Sequence, residues 1–245
     1  MSSIFTEVFY RPILNLLLFL YDIIPGGNLG VAIIALTFII KLALYPLSQK
    51  MIKSQKALQD LNPKMEEIKQ KYKDDKEAMG REMMNLYKES KVNPFSSCLP
   101  LLIQFPFLIA VFRVLRAGLS ETTLALAYSF IHIPENINTM FLGLNLEQRS
   151  VLLAILAGAA QFWQAKMMST KRPPIKTEGS QDEDMAAIMN KQMTYFFPII
   201  TVMVGLSLPS GLTLYWLATT VFTGLQQLLV FRKKKDEEQQ VIDNK

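Results

Sequence analysis

Between residues 193 and 231 the chain carries no charged side chain. A bilayer's hydrocarbon layer is about 30 Å thick and a helix rises about 1.5 Å per residue, so one crossing takes roughly 17–25 mostly apolar residues. The stretch is too long for one crossing. Leu208-Pro209-Ser210-Gly211 interrupts it near its middle with two helix breakers, and it reads as two spans, 193–208 and 212–231, joined by a tight turn. Three other windows qualify: 29–48 with Lys41 as its one charge, 94–115 with only Arg113, and 150–168 with only Lys166. The chain therefore reads as an all-α, polytopic membrane protein with five transmembrane helices.

Composition agrees with that class, since half of the 245 residues are hydrophobic and 19% are charged. One Cys and one His exclude a disulfide framework, a Cys/His zinc site and a Cys–His catalytic pair, because each needs partners the chain lacks. P-loop, HExxH and GxSxG patterns are absent, so the sequence argues for no enzyme, no metal and no cofactor.

The net charge of +5 matters less than where the charges fall. Of 26 basic residues, eleven lie in 49–93, five in 166–192 and five in 232–245. These are alternate connections along the chain, which places them in the cytoplasm. The intervening 116–149 and the first 28 residues are poor in Lys and Arg, and form the outer side. Within 1–28, residues 9–24 are apolar but short, with Arg11, Asn15 and Asp22 on one face. They read as an amphipathic helix on the outer surface, with a sixth span as the rival reading. A signal peptide fits less well, since nothing basic precedes the apolar run.

Residues 49–93 have a heptad seam (Met51, Leu58, Met65 and Tyr72, with Leu61 and Ile68) followed by Asp74 and Glu77, which resemble a capping box, and a second seam of Met79, Met83 and Leu86. This predicts an antiparallel helical hairpin in the cytoplasm, its first arm bent at Pro63. Its mixed charges suit a ribosome, anionic headgroups or an incoming chain, and equally a merely solvated face. Residues 169–192 read as a polar cytoplasmic connection. The basic tail 232–245 begins with Arg232-Lys233-Lys234-Lys235, which stops the last span at the inner headgroups, and offers a second ribosome contact.

Lys41 is the most informative single residue. An ammonium at a helix centre costs about 2.5–3.5 kcal/mol on insertion scales, so it tends to face protein or water. Thr37, Lys41 and Tyr45 recur at i, i+4 and i+8 and so share a face. The competing account is snorkelling of Lys41 toward the inner interface. Further polar groups occupy the other spans: Gln104 in the second, Gln161 and Gln164 in the third, and Thr213, Tyr215, Trp216, Thr219, Thr220, Thr223, Gln226 and Gln227 in the fifth. Single residues of this kind are commonly interhelical hydrogen bonds. Several together with a lysine suggest a hydrated cavity open to the cytoplasm. No window contains Asp or Glu, so an external anion could serve as counter-ion and a cation pump is disfavoured.

Four blocks, TFIIKLALYPL (37–47), NPKMEEIKQKY (62–72), EMMNLYKESKVNPFSSCLPLLIQFPFLIAVF (82–112) and SLPSGLTLYWLATTVFTGLQQ (207–227), resemble the YidC/Oxa/Alb family of membrane protein insertases, in the short bacterial form without a large outer domain. The resemblance covers roughly residues 10–235. It implies a five-helix core whose groove opens to the cytoplasm and to lipid. It also implies a positive residue in the first span, usually Arg; Lys41 keeps the charge and loses the bidentate fork. Thr37 and Tyr215 match polar groove positions, and Ser96-Ser97, beside Cys98, stands where Gly-Gly is frequent. With Tyr45, Gln104, Gln161, Gln164, Trp216 and Thr219 these residues form the candidate client-binding set.

The function this implies is an insertase in the cell (inner or plasma) membrane, N-terminus outside and C-terminus cytoplasmic. It receives nascent membrane proteins from the cytoplasm and releases them into the lipid bilayer without nucleotide hydrolysis. A Sec translocon is a further candidate partner; sequence-specific nucleic acid is not. An anion channel or carrier, and a scaffold without translocation, are the alternatives.

Overall fold

Asn28 opens the first long apolar helix. Its backbone is extended (φ −128, ψ 113), its Oδ1 accepts from Val31 N at 3.2 Å and its Nδ2 donates to Met140 O at 2.9 Å. The cap satisfies one of the N–H groups that every helix start leaves without a partner. The computed structural model describes residues 3–93, 99–117, 121–134, 136–168 and 192–243. Nearly all of the 169–192 connection, with Ser96, Ser97 and Cys98, lies outside the described residues.

The elements run α1 (Ser3–Phe5), a π-helical turn Thr6–Tyr10, α2 (Arg11–Ile23), α3 (Leu29–Ala43), α4 (Tyr45–Lys71), α5 (Lys76–Glu89), α6 (Leu99–Ala117), α7 (Glu121–Leu124), β1 (Met140–Phe141), β2 (Leu144–Asn145), α8 (Val151–Met168), a second π-helical turn Gln192–Phe196, α9 (Phe197–Gly205) and α10 (Ser210–Asp243). They form two compact units. The first comprises Met1–Tyr45, Leu101–Gln161 and Pro198–Thr223; the second comprises Pro46–Pro100, Phe162–Phe197 and Gly224–Lys245.

In the first unit, Leu14, Leu18, Ile33, Leu36, Val111 and Tyr215 are fully buried. The outward side is apolar too: Leu42, Leu102, Ile155, Ile199 and Met203 are all more than half exposed. Exposed apolar side chains on long apolar helices suit lipid, where helices satisfy their own backbone groups. Within that solvent the helices associate through close packing and polar contacts. Small residues supply the close packing: a Cβ at Gly158 would lie 2.3 Å from Val202 Cγ2, and one at Gly205 3.1 Å from Ala154 Cβ. By length and composition, α8 and the Ser210–Arg232 part of α10 can each cross a bilayer, and α3 with α4 makes a third when taken as one bent span. The chain is an all-α membrane protein.

Within the 9–24 segment, residues 11–23 form α2, and its polar residues hold other parts of the chain. Asn15, 3% exposed, donates to Leu126 O at 3.3 Å and accepts from Tyr128 N at 2.6 Å. Arg11 Nε donates to Leu126 O at 3.1 Å, and Tyr21 Oη accepts from Asn138 N at 2.7 Å. Within the expected outer loop the structure has a two-stranded antiparallel hairpin, Met140 opposite Asn145 and Phe141 opposite Leu144. Its turn places Leu142 and Gly143 at φ 48 and φ 79, the left-handed pair a tight hairpin requires. Phe141 sits on Gly30, where a Cβ would meet the ring at 2.3 Å. The start of α10 is tied to the same loop: Ser210 N donates to Gln148 O at 2.7 Å, Gly211 N to Leu146 O at 2.8 Å and Ser210 Oγ to Asn145 O at 2.8 Å. Pro209-Ser210-Gly211 is thus more than a break, since the Ser210 and Gly211 N–H groups donate to loop carbonyls.

The second unit holds α4 and α5, the two helices over which the hairpin is expected. Tyr87 Oη lies 3.7 Å from Met65 Sδ across the two arms, and burial pushes the Tyr87 phenol above its ordinary pKa. The cap is one residue later than the sequence suggests. Asp75 and not Asp74 is the N-cap, extended at φ −128 and ψ 90, with Oδ1 accepting from Glu77 N and Ala78 N. Pro63 lies inside α4, and Gly224 receives the Trp163 ring at 2.3 Å from its would-be Cβ.

Candidate functional site

Lys41 lies in the last turn of α3. Its ammonium donates to Thr223 Oγ1 at 2.9 Å and to Gln104 Oε1 at 3.3 Å. Gln104 Nε2 in turn donates to Tyr215 Oη at 2.6 Å, and Thr223 Oγ1 donates to Thr219 O at 2.7 Å. The directions are mutually required. An ammonium only donates, so the amide must present its oxygen to Lys41 and its nitrogen to the phenol, while the Thr223 hydroxyl spends its proton on Thr219 O. Three helices, α3, α6 and α10, supply this chain, and Lys41, Gln104, Tyr215, Thr219 and Thr223 all belong to the first unit.

Its electrostatics are unusual in one respect. Among the described residues both of Lys41's partners are uncharged. The ammonium has three N–H donors, so two neutral acceptors leave one donor and the whole formal charge for something else. Lys41 is half-buried and Tyr215 is 1% exposed, so the cation sits at the edge of the packed interior.

The remaining candidates fall in several places. Thr37 is 1% exposed and gives its hydroxyl to Ile33 O at 2.7 Å, which satisfies it within its own helix. Tyr45 is 40% exposed and follows the end of α3 at Leu44, so the i, i+4, i+8 row does not continue unbroken through it. Thr219 lies one turn from both Tyr215 and Thr223 on α10, whereas the half-buried Trp216 is one position further round. Gln161 and Gln164 are half-buried on α8; among the described residues Gln161 stands outside the hydrogen-bonded chain, and Gln164 belongs to the second unit. Thr223 is the residue the candidate set lacks. Tyr215, Thr219 and Thr223 stand at i, i+4 and i+8, the same spacing that singles out Lys41's row.

Among the described residues no group of three His, Cys, Asp or Glu side chains is placed to hold a metal ion.

A helical chain with exposed apolar side chains, and two or three helices long and apolar enough to cross a bilayer, is an integral membrane protein. Residues 19–238 match the family model described as 60Kd inner membrane protein, and the chain belongs to that family. It is similar to the membrane protein insertase YidC of Fusobacterium nucleatum subsp. nucleatum, 37% identical over 207 residues that cover 84% of this chain and 88% of the relative. It is also similar to the YidC insertases of Geobacter sp. (strain M21), at 36% over 220 residues, and of Streptomyces avermitilis, at 34% over 231 residues. The matches cover 90% and 84% of this chain, but only 36% and 52% of those longer relatives. The protein is accordingly one of the cell membrane.

Proposed function

We propose that the protein is a membrane protein insertase that receives hydrophobic clients from the cytoplasm at the Lys41 site and releases them sideways into the bilayer. The observation that carries this reading is the Lys41 ammonium, hydrogen-bonded by Gln104 and Thr223 and neutralised by neither. An intramembrane cation costs about 2.5–3.5 kcal/mol to place, and interior polar contacts offset that cost. An acidic tail entering from the cytoplasm meets a fixed positive charge with a donor to spare, and the pairing lowers the cost of bringing its carboxylates into the membrane.

The client's own apolar helix supplies the drive, at about 25 cal/mol per Å² of apolar surface removed from water. A potential negative inside assists an acidic tail moving outward, by about 2.3 kcal/mol per charge per 100 mV. No nucleotide enters this cycle.

The proposed topology has five spans at 29–48, 94–115, 150–168, 193–208 and 212–231, with the N-terminus outside and the C-terminus in the cytoplasm. The distribution of Lys and Arg supports it. On that topology α4 and α5 form a cytoplasmic hairpin whose mixed charge suits a ribosome, and a Sec translocon is a candidate neighbour.

The test is reconstitution into liposomes without nucleotide. A single-span client with an acidic tail should become protease-protected, while small anions should not flow. Anion flux without client insertion would favour a channel and overturn the proposal.

A further inference from the structure

A second pair of cations lies apart from the Lys41 site. Arg113 and Arg116 stand at i and i+3 near the end of α6 and so are neighbours on one helix face. With Tyr10, Phe112 and Ala117 they line an open cleft of about 590 Å³, which shares no residue with the Lys41 hydrogen-bonded chain. Each guanidinium lies over an aromatic ring: Arg113 Cζ is 5.3 Å from the Phe5 centroid, and Arg116 Cζ is 5.5 Å from that of Phe112. Among the described residues neither makes an ion pair, whereas nearby Arg11 is paired with Glu7 at 3.2 Å.

A guanidinium that rests its face on a ring keeps its N–H donors at the rim, pointing away from the stack. Two such rims lining one cleft offer donors to the oxygens of a phosphate, which arginine binds in a bidentate fashion. The remaining walls are Tyr10, Phe112 and Ala117, which suit a ligand with an apolar portion beside its anion. On the proposed topology α6 leaves the bilayer here, at headgroup level, on the side where basic residues are otherwise scarce. A zwitterionic headgroup would bring its own ammonium toward two fixed cations, which like-charge repulsion opposes.

We propose that the cleft formed by Arg113, Arg116, Tyr10 and Phe112 binds the phosphate of an anionic phospholipid headgroup. The experiment uses the full chain in detergent mixed with phosphatidylglycerol or phosphatidylcholine, and native mass spectrometry reads the lipid retained per protein. Wild type should retain phosphatidylglycerol in preference to phosphatidylcholine, and Arg113→Gln with Arg116→Gln should lower that retention about tenfold. Arg116 is exposed, so Arg116→Gln alone serves if the double variant fails to fold, with the unfolding temperature as the control. Retention unchanged in a folded variant, or no preference for phosphatidylglycerol in wild type, would overturn the proposal. Stabilisation by inorganic phosphate alone, equal to that by phosphatidylglycerol, would show a site for free anions and overturn the lipid assignment.

Discussion

Lys41 on α3 and Thr223 on α10 meet at 2.9 Å across 182 residues of sequence, and the threonine can accept because its own proton is committed to Thr219 O. Replacing Thr223 with the nearly isosteric valine removes that acceptor and leaves the ammonium with Gln104. A lost hydrogen bond to a half-buried charged group costs about 1–3 kcal/mol. Thr223→Val should therefore lower the unfolding temperature in detergent, and Thr223→Ser should restore it.

Gln104 offers a sharper test of what the charge is for. Gln104→Glu keeps the side chain's size while placing a carboxylate where Oε1 now lies, 3.3 Å from the Lys41 ammonium. The internal ion pair would compete with a client's carboxylates. Insertion of acidic-tailed clients into liposomes should fall by about tenfold, a barrier change near 1.4 kcal/mol. Neutral-tailed clients should be affected less.

Gly30 reports on the seating of the loop hairpin. A Cβ there would sit 2.3 Å from Phe141 Cγ and 2.6 Å from its Cβ, so the whole residue and not just the ring's far edge must yield. Gly30→Ala should destabilise the protein by about 1–3 kcal/mol, the usual cost of overpacking. Phe141→Ala in the same chain should recover part of the loss, and a double-mutant cycle on unfolding temperatures measures the coupling.

Much of this architecture is legible in the hydrophobic pattern, and the exceptions have identifiable physical causes. Membrane-crossing helices need long apolar runs, and α8 and the Ser210–Arg232 part of α10, the two helices that meet that length by themselves, overlap windows read from sequence. The first window runs on to residue 48, whereas α3 ends at Ala43 with Leu44 as its C-cap; Pro46, which lacks an N–H and suits the first turn of the next helix, is the signal that window passes over. The 140–145 hairpin gives little signal, because each strand has two residues and the turn uses Leu142 at positive φ, where glycine or asparagine is usual. In the site, charge singles out Lys41, the family resemblance points to Tyr215, and Gln104 is marked only as a polar residue in an apolar window. That Thr37 satisfies itself on Ile33, while Thr223 reaches the ammonium, depends on helix rotation, which periodicity alone does not fix.

Ser210 is fully buried, and its hydroxyl holds Asn145 O at 2.8 Å. Ser210→Ala should cost about 1 kcal/mol or somewhat more, because the loop carbonyl keeps its burial and loses a donor. Amide exchange in 138–148 should quicken while exchange in α5 stays unchanged.

The most direct measurement is insertion of paired clients, identical except for an acidic or a neutral outer tail, by proteoliposomes carrying wild type, Lys41→Arg, Lys41→Ala or Lys41→Glu. The account predicts near wild-type insertion for Lys41→Arg. It predicts a loss of about tenfold for acidic tails with Lys41→Ala, and a larger loss with Lys41→Glu, where attraction becomes repulsion. Normal insertion of both clients by Lys41→Glu would contradict it.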